Sequence, residues 1–397
     1  MKNFIPLTGY KRILAIAACI LLISAIVLST IFFIIPALQY SRAQKLIEKG
    51  EYEKAYNTLI GIIDYKDSRE KLKNFDIKYE KKTGTEIGEN GKEKVLTYEY
   101  SYDKYGNLLT ENCYNADGSL SYSTKREYEY DKNGNVILDK TYEDGALAYF
   151  NKFEYDSEGR KILAEDYFTN GNISSRSKYD EHGSQILYEN FYKDGRLSSR
   201  YTYKYAYDKD GNITFKESFD ANGAQAGSVK NEYNRNGKLK SSQSCLADGS
   251  VYSSSESKFD ENGNEVLCEY FGQNGQLMHY VEYKYHDNGS CKEAKRFDSA
   301  HNVAYEIAYD EHGNTTLEKS YDENGDISAH MSYTYDAYGN LIESKSYDKD
   351  AKVIKKIKIK YNKYSLETNW TVFDENGKQT TEKQYEYENV LFFYSEK

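Results

Sequence analysis

Residues 98–108 read Tyr-Glu-Tyr-Ser-Tyr-Asp-Lys-Tyr-Gly-Asn-Leu. Before the aspartate the pattern has period two: Tyr98, Tyr100 and Tyr102 share one face, with Glu99 and Ser101 on the other. Side chains of a strand point alternately to its two faces, so this spacing predicts a half-buried antiparallel strand, aromatic on one side and polar on the other. A helix is excluded, because positions three and four apart do not stay apolar. Asp103 then offers a carboxylate that can accept from backbone N–H groups two or three residues on, closing an Asx-turn. Gly106 takes the positive φ that such hairpin loops need, and Asn107 leads into the next apolar run.

Working outward, the same signature returns at Asp131, Gly134 and Asn135, at Asp208, Gly211 and Asn212, at Asp310, Gly313 and Asn314, and at Asp336, Gly339 and Asn340. Looser turns stand at Phe219-Asp220-x-x-Gly223, Tyr321-Asp322-x-x-Gly325 and Phe373-Asp374-x-x-Gly377. Turn glycines are mostly 12 or 14 residues apart, which makes a unit of about 26 residues with two different turns. Where a glycine is missing, His301-Asn302 and Asp350-Ala351 fill the turn. Alternating tyrosines precede further turns at Tyr201 to Tyr207, Tyr283 and Tyr285, and Tyr333 and Tyr335.

Removing the turns leaves strands of roughly eight to ten residues. Successive turns must lie on opposite edges, giving an up-and-down meander of more than roughly twenty strands, on the order of 100 Å along the ribbon. Neighbouring strands rotate by about 20–25°, so the ribbon cannot stay flat. The expected fold class is therefore mainly β: a long antiparallel β-hairpin meander coiled into a spiral or partial shell that hides its tyrosine face. A transmembrane helix and a short α-helical hairpin are expected before it. Residues 379–397 are expected to be a closing strand.

The recurring turn, as in Tyr102-Asp103-Lys104-Tyr105-Gly106-Asn107 and Tyr309-Asp310-Glu311-His312-Gly313-Asn314, resembles the YD repeats of Rhs-type proteins. The resemblance covers most of residues 98–397. It implies β-hairpin strips wound into a shell or wall, which in some members encloses a toxin and in others serves surface attachment or recognition.

At the other end, Ile13 to Leu38 holds no charged residue. At 1.5 Å per residue such a run crosses a hydrocarbon core of roughly 30 Å. The expected organisation is a tail over 1–12, a transmembrane signal-anchor over 13–38, a helical hairpin or stalk over 39–82, and the YD-like repeat domain over 83–397. Lys2, Lys11 and Arg12 against Arg42, Lys45 and Lys49 slightly favour an inside N-terminus. Within 41–80 the apolar positions Ala43, Leu46 and Ile47, then Tyr52, Ala55, Tyr56, Leu59 and Ile60, have helical spacing. Gly50 is a candidate stop, and Asp67 or Ser68 a candidate cap for a third helix carrying Leu72 and Phe75. The stretch Ala43 to Ala55 resembles one tetratricopeptide-type helical pair. Tyr65 to Ser68 resembles a linker found after such pairs in Gram-positive membrane proteins.

Composition narrows function. Of 397 residues, 43 are Tyr and only 2 are Pro, namely Pro6 and Pro36, so the repeat region has no proline to interrupt its ladders. Residues 1–82 carry a net +6 and the remainder −16, which disfavours nucleic acid as a partner. Five cysteines at irregular spacing do not make a disulfide scaffold. His182 and His312 occupy turn positions, and His279, His286, His301 and His330 have no ligand spacing. Asp208 to Asn212 begins like a calcium loop, yet its glycine falls one position early and Phe219 stands where the closing Glu belongs. No catalytic, cofactor-binding or metal-binding residues are assigned, and no enzyme activity is expected.

The reading is a single-pass cell-membrane protein, held through residues 13–38, with its repeat domain extracytoplasmic on a Gram-positive-like bacterium. Its tyrosine-rich repeats would meet a surface protein or polysaccharide. A component of a toxin or contact-dependent competition system is the alternative, and a wall-polysaccharide hydrolase the second alternative.

Overall fold

A computed structural model of the chain describes residues 34–88 and 91–394. It divides into two compact units. Within the described residues, the first comprises 34–80, the turn 103–107 and the chain from Tyr387 onward, and the second comprises 81–102 and 108–386.

In the first unit, α1 (Ile35–Glu48) opens on Pro36 and ends at Gly50. The Gly50 N–H donates to the Ile47 carbonyl and the Glu51 N–H to Leu46, the paired bonds that satisfy a helix C-terminus. The helix α2 (Tyr52–Ile60) turns back, and Ala43 of α1 and Ala55 and Leu59 of α2 are fully buried, small side chains at the crossing letting the helices approach. A short α3 (Ser68–Leu72) follows, starting at Asp67 without a side-chain cap. The Asp67 carboxylate instead accepts from the Tyr40 hydroxyl. Tyr56 meets Phe75 and Phe392 with ring centroids 5.4 Å apart in each pair, and Phe75 meets Tyr394 at 5.1 Å. An aromatic cluster thus fixes α2 to both chain ends of the unit.

The helical reading stops sooner than 39–82 implies, because β1 (Phe75–Ile87) begins at Phe75. Phe75, Ile77 and Tyr79 alternate with Asp76, Lys78 and Glu80, a period-two pattern that favours a strand. From β1 the chain makes a meander of 24 antiparallel strands, each hydrogen-bonded to the next. Among them are β4 (Leu120–Tyr130), β5 (Val136–Glu143) and the last, β24 (Gln379–Tyr394).

The second unit is a closed β-barrel, because β24 pairs with β1. This corrects the expected spiral or partial shell. The physical reason lies in the first strand. With 75–82 taken as helix, the meander has no partner for its last strand; with β1 present, both free edges satisfy each other and no ladder is left open. The expected transmembrane helix is also not found: among the described residues no helix is long and apolar enough to cross a membrane. The tail 1–12 and residues 13–33 of the expected anchor lie outside the described residues, while Ile35 to Leu38 start α1, which continues into charged sequence.

Alternation sorts the two faces of the barrel wall. Tyr98 and Tyr100 are half-buried and Glu99 exposed; Phe153 and Tyr155 are half-buried and Lys152 and Glu154 exposed; Tyr283 and Tyr285 are half-buried and Glu282 and Lys284 exposed. In a closed barrel side chains converge inside and diverge outside, so the tyrosine face is the inner one. Cys113, Thr141, Cys268 and Val372 are its best-buried members. Opposite, charges pair across strands: Lys152, Glu165, Arg176, Glu189 and Arg200 stand in consecutive registers. Arg176 Nε lies 2.6 Å from Glu165, and Arg200 Nε 3.5 Å from Glu189. Such cross-strand pairs contribute about 0.2–1 kcal/mol each.

Candidate functional site

The five sharp turns share one hydrogen-bond pattern. Asp103 Oδ1 accepts from the N–H groups of Tyr105 (2.8 Å) and Asn107 (2.9 Å). Its Oδ2 accepts from the Asn107 side-chain amide at 3.2 Å. Asp131 does the same with Asn133 and Asn135, Asp208 with Asp210 and Asn212, Asp310 with His312 and Asn314, and Asp336 with Tyr338 and Asn340. The glycines Gly106, Gly134, Gly211, Gly313 and Gly339 have φ between 84° and 87°. The asparagine after the glycine thereby acquires a reason that spacing alone does not supply: its amide occupies the second carboxylate oxygen. Bonds from the Asn135 and Asn212 side chains hold the Asp131 and Asp208 carboxyls below their ordinary range. Both oxygens of Asp208 are thus engaged within the turn itself.

Four of these turns belong to the second unit, and each follows an even-numbered strand, which puts them on one edge of the barrel. The turn 103–107 belongs to the first unit, where the Phe393 ring covers Gly106.

Tyrosines link neighbouring turns of that edge. Tyr155 donates its hydroxyl to the Val136 carbonyl at 3.0 Å, Tyr233 to Ile213 at 2.9 Å, Tyr285 to Glu265 at 2.6 Å and Tyr361 to Leu341 at 3.0 Å. Tyr128 reaches Leu108 and Tyr205 reaches Gln185 in the same way. Each acceptor is the first residue of the strand after a turn, 19 or 20 positions earlier in the chain. Burial raises Tyr285 and Tyr361. These hydroxyls therefore stay protonated and serve as donors holding the edge together.

A second set of tyrosines is differently placed. Tyr122, Tyr149 and Tyr201 are 38%, 40% and 43% exposed. Tyr122 pairs in register with Cys113, Tyr149 with Thr141 and Tyr201 with Tyr188, so all three are on the tyrosine face. They sit early in their strands, toward the edge away from the Asp-x-x-Gly-Asn turns. Their rings offer flat amphipathic surface, and Leu120 and Leu197, 53% and 45% exposed, flank them in the same strands.

The histidines are structural where they are seen. His182 and His312 donate backbone N–H to Asp180 and Asp310 in turns, and His182 stacks on Tyr207 at 4.0 Å. His279 and His330 stack on Tyr270 and Tyr347. His301 fills a turn-glycine position with φ 66°, and Ala351 does so with φ 60°. Ser365, at φ 59°, marks a further turn over 362–366 that carries no glycine. Cys113, Cys245, Cys268 and Cys291 are free thiols. Among the described residues no three His, Cys, Asp or Glu side chains converge as a metal site.

No family model matches the chain, and no curated protein matches it. Solved structures similar to it include the crystal structure of TcdB2-TccC3-TEV, at 14% identity and TM-score 0.36, over 83% of this chain and 20% of that one. The Photorhabdus luminescens Tc holotoxin pore aligns at 13% identity and TM-score 0.18, over 83% of this chain and 28% of that one. A porin-like protein from Bacteroides uniformis aligns at 11% identity and TM-score 0.19, over 78% of this chain and 98% of that one. This chain spans 20% and 28% of the length of those two chains.

Proposed function

We propose that the chain is an Rhs-like YD-repeat protein that works as a non-enzymatic recognition surface at the cell membrane, binding a wall polysaccharide through its exposed tyrosines. The barrel would lie outside the cytoplasm. The observation that supports this reading is the division of labour among tyrosines. Most rings on the inner face are half-buried, and several spend their hydroxyls on backbone carbonyls, whereas Tyr122, Tyr149 and Tyr201 keep exposed rings on the same face. Aromatic faces stack on the C–H face of sugars, and the acidic repeat region disfavours anionic polymers, so a neutral glycan is the better match.

Co-sedimentation of the full-length chain with insoluble wall polysaccharide tests it. With contacts distributed over repeats, each single Tyr→Ala change should weaken binding about twofold. Tyr122→Ala, Tyr149→Ala and Tyr201→Ala together should weaken it about tenfold, some 1.4 kcal/mol. The edge variant Tyr155→Phe should bind as wild type. Loss of all binding from one substitution, or unchanged binding by the triple variant, overturns the reading. Release of soluble sugar during the assay would favour the hydrolase reading instead.

A further inference from the structure

One cavity, outside both the turns and the exposed tyrosines, gathers charge. It lies on the inner face where β1 and β24 close the barrel, has a volume of about 200 Å³, and is lined by Lys82, Glu86, Tyr98, Lys383 and Tyr385 among others. Gly84 sits in its wall, beneath the Tyr385 ring. The Lys82 ammonium stands 4.1 Å from the centre of the Tyr385 ring. The Lys383 ammonium lies 3.6 Å from Glu86 and 5.5 Å from the centre of the Trp370 ring. Burial lowers Lys82, Glu367 supports its charge and Lys383 opposes it. Glu367 is in turn pushed up by burial, with both lysines opposing. Lys82, Lys94 and Lys383 line this aromatic-walled space against the one carboxylate in its lining, Glu86, an excess of positive charge that a bound anion balances.

We propose that this seam cavity binds a small anion, a carboxylate or phosphate carried on a ligand of about monosaccharide size. Lys82 and Lys383 take the charge, and the rings of Tyr98 and Tyr385 face the ligand's apolar side. The size follows from volume: at about 30 Å³ per water, the space holds only a handful of waters or one small ring. The site is separate from the exposed tyrosines and does not depend on the function proposed for them.

Lysine labelling of the full-length chain at pH 8 with trinitrobenzenesulfonate reads the site directly. The neutral amine attacks the ring carbon, sulfite leaves, and the proton goes to buffer; modified peptides are then quantified by mass spectrometry. Glucose 6-phosphate and gluconate are the charged competitors, glucose is the uncharged one, and Lys209, whose side chain is 89% exposed, is the internal control. At ligand several times above Kd, Lys82 and Lys383 should label about fivefold more slowly, with Lys209 unchanged and glucose without effect. Protection by the phosphate alone, by the carboxylate alone or by both supports the site and names its anion. Equal protection of Lys209, protection by glucose, or no protection of Lys82 and Lys383 overturns it.

Discussion

The ring of Tyr385 lies over the bare backbone of Gly84, its Cε1 3.2 Å from where a β-carbon would stand. This contact joins β24 to β1, so the closure of the barrel depends on a ring packed into the space of a missing side chain. Overpacking costs typically about 1–3 kcal/mol. Gly84→Val should lower the urea midpoint accordingly and raise amide exchange in β1 and β24 above that of β4 and β5. Uniform exchange across all four strands would show that the ring is not part of the closure.

The hairpin turns offer a graded test of backbone geometry. Gly106 and Gly211 both have φ 84°, where a side chain costs roughly 1–2 kcal/mol. A β-carbon added at Gly211 would meet nothing within 4 Å, while one added at Gly106 would stand 3.0 Å from the Phe393 ring. Gly106→Ala should therefore destabilise more than Gly211→Ala. Ala351, already at φ 60°, should give the opposite sign: Ala351→Gly raises the urea midpoint by about 1 kcal/mol equivalent. Equal effects at Gly106 and Gly211 would remove Phe393 from the account.

The sequence carries the local geometry and conceals the closure, for physical reasons that particular residues show. Asp131, Gly134 and the alternating tyrosines are legible because turn and strand are set by neighbours a few positions apart. The stop at Gly50 is legible for the same reason. The pairing of β1 with β24 joins segments about three hundred residues apart, exemplified by Asn389 donating to Glu80 across 309 positions. No local pattern announces such a partner. The alternation of Phe75, Ile77 and Tyr79 does announce a strand, but it follows directly on a helical stretch and merges with it. At the candidate site the tyrosines are visible in the sequence, yet not which of them bond to carbonyls and which stay exposed, since that depends on register between strands.

Tyrosine hydroxyls on the turn edge should be separable from exposed ones by the smallest possible change. Tyr155→Phe removes the donor to the Val136 carbonyl and keeps the ring. A net hydrogen bond of this kind is worth about 1 kcal/mol, so thermal unfolding should fall by a few degrees. Tyr149→Phe, at a ring that is 40% exposed, should leave the melting temperature within error. Equal losses at both positions would mean that the edge bonds do not organise the barrel.

Acid should weaken the turns together. The carboxyls of Asp131, Asp208 and Asp260 are all held low in the folded chain, the first two chiefly by Asn side-chain bonds and the third chiefly by the Asn264 backbone N–H. A carboxyl with a depressed folded pKa contributes stability above its unfolded value near 4 and loses it as pH falls through the folded value. Melting temperature should hold between pH 7 and 5 as far as these groups are concerned and drop progressively below about pH 4. Asp131→Asn should flatten part of that drop while lowering stability at neutral pH.

Alkali should act on both faces of the wall, on Tyr167 and Tyr321 beside the charged pairs and on Tyr283 among the inner rings. Burial, followed by a hydrogen bond to Glu165, pushes Tyr167 up to about 12, and burial with a bond to Glu306 does the same for Tyr321. Burial alone, with nearby carboxyl and thiol charge, takes Tyr283 to about 12. A group whose folded pKa lies above its unfolded value stabilises the fold fully below the unfolded value, here near 10, and loses that contribution as pH rises through the folded value. The barrel should accordingly keep its stability to about pH 10 and lose it between about 10 and 12. Tyrosinate absorbance at 295 nm from these rings should then rise late and cooperatively, together with the loss of β circular dichroism. Titration of all tyrosines in one step near pH 10, with the β signal intact, would mean that these rings are open to solvent and that their hydroxyls do not hold the wall together.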